Sequence, residues 1–324
     1  MTLALATLAL GFGSYFYSLT GVPVAISALV AVSIVSVVSL IGIRESILFA
    51  VLLGILEFAG LALVVALGLP HFGEHPLTEA PGGIDGVLSA VALVYFAYIG
   101  FNMLGNLSEE MKNPSRDLPK ALGIAIAVST VVYLLVSVSA ISLAGWQTIA
   151  ASPAPLADAV KDVLGSHGKV ALSLIAMASI LGTALLLTVA TSRSLYGMAR
   201  AGALPNVLAR IGVRNTPSVS TLTIWGIVSL FAIAGDLGFA ARIANLMYLA
   251  SFSLVNLSLT VILFKEVGNQ WSLRRLLEFL QPVLGLGTCI WLITKMSMLQ
   301  IAILLLLALA GIILGGRMKP RPEK

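Results

Sequence analysis

Charged side chains are what this sequence has least of. Only 10% of its 324 residues are Asp, Glu, Lys or Arg, against about 25% in soluble domains. None occurs before Arg44. With 59% hydrophobic residues and a mean hydropathy of +1.04, so little charge excludes a soluble globular core. Cysteine is nearly missing as well. The single Cys289 excludes an intrachain disulfide and leaves the redox compartment undetermined. The basic start of a secretory signal is lacking, so no signal peptide is expected. A polytopic chain that opens inside an apolar run, without a polar leader, is expected to continue something upstream. What the sequence has in place of charge is long apolar runs. They are continuous over about 20 residues and do not alternate over about 10, which points to membrane-spanning helices and away from a β-barrel.

The runs can be taken in order. Residues 2–18 form a short first span interrupted by Gly11 and Gly13, followed by spans over 22–43 and 46–69, the latter carrying Glu57 in its middle. A Pro-, His- and Gly-rich outer loop covers 70–86, and His71 and His75 in it read as solvated loop histidines, not a metal site. The span over 87–107 is followed by a charged loop over 108–118 and a span over 118–143, with Pro119 expected in its first turn. Residues 146–168 place Leu156, Val160, Val163 and Leu164 at helical spacing among Asp158, Lys161 and Asp162. They are too polar to span, and read as an outer amphipathic lid or as a plain interfacial linker. A span over 169–192 leads to a basic interfacial helix over 193–215, and Thr216 is positioned to cap the span that Pro217 starts. Further spans follow over 241–264, 279–294 and 298–314, the last two joined by a tight turn at Lys295. One transmembrane domain is thus expected over 1–316, with a basic tail over 317–324.

Charge orients the chain. If the loop after the span over 87–107 is cytoplasmic, fifteen of the 19 Lys and Arg fall inside and only Lys161, Lys169, Arg242 and Lys295 outside. That bias puts the C-terminus in the cytoplasm and accounts for the net charge of +5 without a nucleic-acid partner.

The stretch from Tyr95 to Pro119 is the densest in chemistry. Gly100 between Tyr98 and Phe101 is a candidate helix break. A break in hydrocarbon is tolerated only where the freed backbone is buried in protein or lines a cavity. There, free carbonyls can accept from an ammonium, and free N–H groups can hold a carboxylate. The alternative is a glycine serving close helix packing. Beyond it, Glu109, Glu110, Lys112 and Arg116 meet the water boundary, Asn113–Pro114 reads as a turn, and Asp117 is positioned to cap a helix opened by Pro119. The group reads as a charged gate or as a solvated loop. Glu57, the one acidic residue deep in a span, must be neutral, paired or in a wet cavity, since a charge at mid-bilayer costs roughly 2.5–3.5 kcal/mol on insertion scales. Asn245, Tyr248 and Asn256 read as interhelical hydrogen-bonders.

The string FAYIGF, with EEMKNPSRDLPKA after it, closely resembles the sixth span and following loop of the amino acid–polyamine–organocation (APC) transporter superfamily. GIRES (42–46), SPAPLADA (152–159) and TSRSLYGMARAGALP (191–205) resemble further family elements in the same order. The resemblance implies an all-α polytopic membrane protein with a LeuT-like inverted-repeat transporter fold, N-terminally truncated and holding about ten helices, spans 3–12 of 12. It implies a secondary active amino acid transporter working by alternating access, with an amino acid or related amine as substrate and a proton, in preference to sodium, as coupling ion. It implies that Phe96, Ala97, Tyr98, Ile99, Gly100 and Phe101 meet the substrate, and that Glu109, Glu110, Asn113, Pro114, Arg116 and Pro119 form a cytoplasmic gate motif. Asn102 stands where many relatives carry an acidic residue. Glu57 is the proton-coupling candidate, because some proton-coupled relatives place a lysine in that region. Thr183 and Thr188 fall near the sodium position of sodium-coupled members, although helical Ser and Thr usually bond their own backbone. No cofactor, metal or catalytic role is expected, and the cytoplasmic (plasma) membrane is the expected location. The competing reading is a non-transporting remnant or a structural partner that needs another chain to complete its site.

Overall fold

The computed structural model describes residues 1–41, 46–101, 104–105, 111–212, 214–234, 236–267 and 272–316. Arg44, Asn102, Glu109, Glu110 and the tail over 317–324 lie outside them. Among the described residues there are ten α-helices and no strand: α1 (Thr2–Thr20), α2 (Val24–Ile41), α3 (Ser46–Gly68), α4 (Gly83–Val94), α5 (Pro114–Ala151), α6 (Pro155–Arg200), α7 (Ser218–Ala234), α8 (Leu237–Val267), α9 (Leu273–Thr294) and α10 (Met298–Gly316). Seven helical stretches are long and apolar enough to cross a bilayer. The protein is an all-α polytopic membrane protein, as the sequence indicates.

The chain divides into two compact units, one of Met1–Glu79, Phe101–Ala240 and Gly315–Lys324, the other of Ala80–Gly100 and Ala241–Leu314. In the first, α1 packs on α2, α6 and α7, while α3, α5 and α6 pack on one another. Helix α2 shows what holds such helices together in lipid. Ile26, Val30, Ile34, Val37 and Ile41 are exposed, while Ser27, Ala28, Ala31, Ser36 and Ser39 are buried. Large apolar side chains point outward and small residues face neighbouring helices, because lipid removes the hydrophobic drive to bury them and close packing takes its place. Helices α3 and α5 approach closely at Gly68. A Cβ on Gly68 would lie 2.4 Å from Ser139 Cβ and 2.6 Å from its Cα.

The stretch over 146–168 is set off by two backbone breaks. Helix α5 has a non-helical residue at Gly145 (φ 73°, ψ 151°), and α6 has one at Gly165 (φ 65°, ψ −162°). Between these breaks, Ala154, Ala157, Ala159 and Val160 are fully buried, and the cluster to which Ala154, Ala157 and Val160 belong includes Val64, Val136 and Leu172. Lys161 and Asp162 stay exposed. Asp158 meets Lys169, across the Gly165 break, at 2.8 Å and accepts from the Ser152 hydroxyl. Trp146 donates its indole N–H to Glu79 in the outer loop, and the His75 ring lies against Gly145.

Among the helix ends that differ from expectation, three bear on the connections. Helix α5 starts at Pro114, so the end of the expected loop is already helical and Pro119 lies inside the helix, not in its first turn. Proline at the first position needs no N–H partner, which lets Pro114 open the helix five residues early. Helix α6 runs without interruption through 193–200, so only Asn206–Ala209 forms a separate short 3-10 turn in the segment read as an interfacial helix. The Thr216 hydroxyl, expected to cap the next span, donates to the Leu40 carbonyl at 3.2 Å, and Arg214 donates to the Ile41 carbonyl at 3.2 Å. Together they satisfy carbonyls left open at the end of α2.

In the second unit, α4, α8, α9 and α10 share a core of Ala92, Leu246, Leu249, Cys289, Leu292 and Met296. The turn at Lys295 stands where expected. It is followed by a reciprocal capping pair, in which the Ser297 N–H donates to Gln300 Oε1 at 3.0 Å and the Gln300 N–H to Ser297 Oγ at 3.4 Å.

Candidate functional site

The apolar run that begins in α4 does not continue as one helix. Regular helix stops at Val94, Tyr95–Tyr98 tightens into a 3-10 turn, and Ile99 is extended (φ −71°, ψ 133°) with its N–H on the Phe96 carbonyl at 3.1 Å. Gly100 follows at φ +118°. A Cβ there would meet nothing within 4 Å, so the position calls for glycine through its backbone and not through lack of room. Phe96, Tyr98, Ile99, Gly100 and Phe101 are half-buried and Ala97 is exposed. The 3-10 turn bonds i→i+3 in place of i→i+4, and the extended Ile99 ends the ladder.

The start of the break is held by a residue from a distant part of the sequence. Asn245, fully buried on α8, donates from Nδ2 to the carbonyls of Ala92 and Leu93 at 2.9 and 3.1 Å. Of the three polar residues expected to bond between helices, Asn245 does so. Asn256 instead donates to Phe252 of its own helix at 2.9 Å, while its amide packs against Gly285. The Tyr248 ring tilts against Phe252, with centroids 6.0 Å apart.

Glu57 lies on α3, in the first unit. It lines an open, mainly apolar groove of about 190 Å³ together with Tyr15 of α1 and Ile175 and Ser179 of α6. The two threonines of the sodium expectation do not converge. Thr188 is buried and donates to its own helix at Ala184 (2.7 Å), whereas Thr183 is exposed. Five residues turn an α-helix by about 140° beyond a full revolution, which places the two on different faces. Of the gate motif, Asn113 lies just before α5, and its carbonyl accepts from the N–H groups of Arg116 (3.1 Å) and Asp117 (2.8 Å). Asn113 therefore starts the helix through its main chain. Asp117, read as the cap, sits inside the first turn, where its charge suits the helix dipole. Pro114 occupies the first helical position, Arg116 is exposed, and Pro119 is internal to the helix.

A family model described as "Amino acid permease" matches residues 1–318. The chain belongs to the amino acid permease family. Among its relatives, the methylthioribose transporter of Bacillus subtilis is 28% identical over 311 residues, covering 89% of the permease chain and 67% of that protein. The branched-chain amino acid permease BcaP of the same organism is 27% identical, covering 96% and 72% respectively. The mitochondrial cationic amino acid transporter 3 of Arabidopsis thaliana is 31% identical over 194 residues, covering 58% of this chain and 31% of its own. The match covers all ten helices.

Proposed function

We propose that the chain acts in secondary active transport of an amino acid by alternating access, coupled to protons. The observation that carries this reading is the interruption at Tyr95–Gly100 in an otherwise apolar run. An α-helix in lipid satisfies its own backbone, so a break is tolerated only where the segment is buried in protein or lines a cavity. At this break the carbonyls and N–H groups have the chemistry to meet an ammonium and a carboxylate, with Phe96, Tyr98, Ile99 and Phe101 beside them for the side chain. Membership of the amino acid permease family supports the same substrate class.

Glu57 is the proposed proton carrier. It is the acidic residue of an apolar groove between helices, whose lining also includes Tyr15 and Ser179. Carboxylates in membrane spans mark proton relays in pumps and transporters. The cytoplasmic membrane, with the C-terminus inside, is the proposed setting, on the bias of Lys and Arg among the loops.

The test is uptake into proteoliposomes containing the full chain, with labelled branched-chain and cationic amino acids and methylthioribose, the substrates named for its relatives. Concentrative uptake driven by an inward proton gradient and abolished by a protonophore is the expected result. Uptake that ignores the pH gradient overturns the coupling, and none with any of these solutes overturns the transport reading. The Glu57→Gln variant is expected to lose gradient-driven accumulation while keeping exchange of labelled for unlabelled substrate. Unchanged accumulation removes Glu57 from the mechanism.

A further inference from the structure

We propose that Asn245 is the positioning residue of the broken segment, fixing through the end of α4 the point at which Tyr95–Gly100 leaves the helix. The inference rests on the reading of that segment as the substrate-binding main chain.

Helices leave their last carbonyls without intrahelical partners. Ala92 and Leu93 stand in the last turn of α4, immediately before the 3-10 turn. Both accept from one Asn245 amide group, at 2.9 and 3.1 Å. Carbonyl oxygens only accept, so the atom facing them must be the amide nitrogen, and both of its N–H groups are spent there. The side chain is sealed from solvent and lipid alike: Asn245, Leu246 and Leu249 are 0% exposed and Ala92 is 2% exposed. Its Oδ1 has no partner among the described residues. A buried amide oxygen without a donor is a cost that an apolar side chain avoids. The two bonds to α4 are what the residue gains in return.

The geometry makes those bonds directional. If α4 continued as regular helix past Val94, the Ala92 and Leu93 carbonyls would be bonded along the axis to Phe96 and Ala97. By drawing them toward α8, Asn245 favours the tightened turn at Tyr95–Tyr98, and so the extended Ile99 and the positive φ of Gly100 beyond it. Asn245 touches no substrate in this scheme. It sets the orientation of the main-chain groups that do.

A control is built into the same helix. Asn256 lies eleven residues further along α8, a rotation of only about 20° from Asn245. Its amide donates to its own helix and to no carbonyl of α4. The change of Asn to Asp keeps size and shape but replaces donors with acceptors, and it can be made at either position. Two readouts follow in the full chain. One is the concentration dependence of uptake in proteoliposomes. The other is independent of transport: the rate at which a maleimide alkylates the Ile99→Cys variant, with the buried Cys289 as background.

Each typical hydrogen bond contributes a factor of about 2–10 to an equilibrium, so loss of the pair is expected to raise KM about 10-fold. Asn245→Asp should do so with the maximal rate within about 3-fold, and should change the alkylation rate at Ile99→Cys about 5-fold or more. Asn256→Asp should move neither. An alkylation rate unchanged by Asn245→Asp overturns the proposal, as does a loss confined to the maximal rate. If Asn245→Asp does not insert, Asn245→Thr takes the same measurements, because it fits the volume, lacks the paired donors and buries no charge. Should the wild-type chain transport nothing, the reading of the segment as a substrate site fails, while alkylation still decides whether Asn245 holds the break.

Discussion

Replacing Gly100 by Ala isolates the backbone as the source of the broken segment's shape. The added methyl meets nothing within 4 Å, so steric conflict with neighbours contributes nothing. What remains is the penalty of holding an L-residue at φ +118°, outside the regions that hard-sphere contacts allow. Residues held in such regions cost about 1–3 kcal/mol. The broken conformation should therefore lose about 5- to 150-fold in population relative to any arrangement with ordinary φ at this position. Gly105 supplies the comparison. It too has open space around it, but its φ lies outside the left-handed range, so Gly105→Ala should be close to neutral. Uptake by reconstituted protein is the assay. Gly100→Ala should raise KM by a factor in that range, while Gly105→Ala stays within about 2-fold. If the two variants behave alike, the positive φ at Gly100 does not shape the site and the reasoning fails.

Two further expectations concern the first unit. Gly68→Ala would press its new methyl onto the Cβ, Cα and carbonyl oxygen of Ser139, at 2.4–2.6 Å, where backbone must move. The cost is about 1–3 kcal/mol and should appear as a lower thermal unfolding midpoint in detergent; an unchanged midpoint would mean the pair parts freely. Lys169→Met removes the partner that bridges the Gly165 break to Asp158. With both side chains 20% exposed, solvent screening limits the loss to about 1 kcal/mol, so the expected signal is faster proteolysis near residues 146–165 with little change in global stability. Cleavage at the wild-type rate would show that the apolar face alone holds this segment.

The break at Gly100 was legible because one glycine sits between bulky aromatics in a continuous apolar run, and because charge begins abruptly a few residues on. Amphipathic spacing at Leu156 and Val160 likewise marked a helical segment with one buried face. Its boundaries were harder to see. Gly145 and Gly165 look like the many glycines that serve helix packing, and only their backbone angles distinguish them. The start of α5 was misjudged because Pro114 and Pro119 are both plausible openings, with Asp117 resembling a cap for the second. Asn245 was legible as a polar residue in a span, but not as the clamp on Ala92 and Leu93. More than 150 residues separate donor and acceptors, and no local pattern encodes such a pairing. Thr183 and Thr188, placed near a sodium position by resemblance alone, fall on different faces of α6.

The approach of Gly68 to Ser139 also constrains movement. Gly68 brings no side chain to this crossing, and the Cβ and main chain of Ser139 lie directly over it, so α3 and α5 have no layer here that can shear. Sliding one past the other by even 1–2 Å, as helices do in many conformational changes, would drive a backbone atom into a neighbouring Cβ. Helices α3 and α5 are thus pinned at this crossing. In a working cycle they would move together about that point, so Glu57 on α3 would be carried with the part of α5 that precedes the Gly145 break.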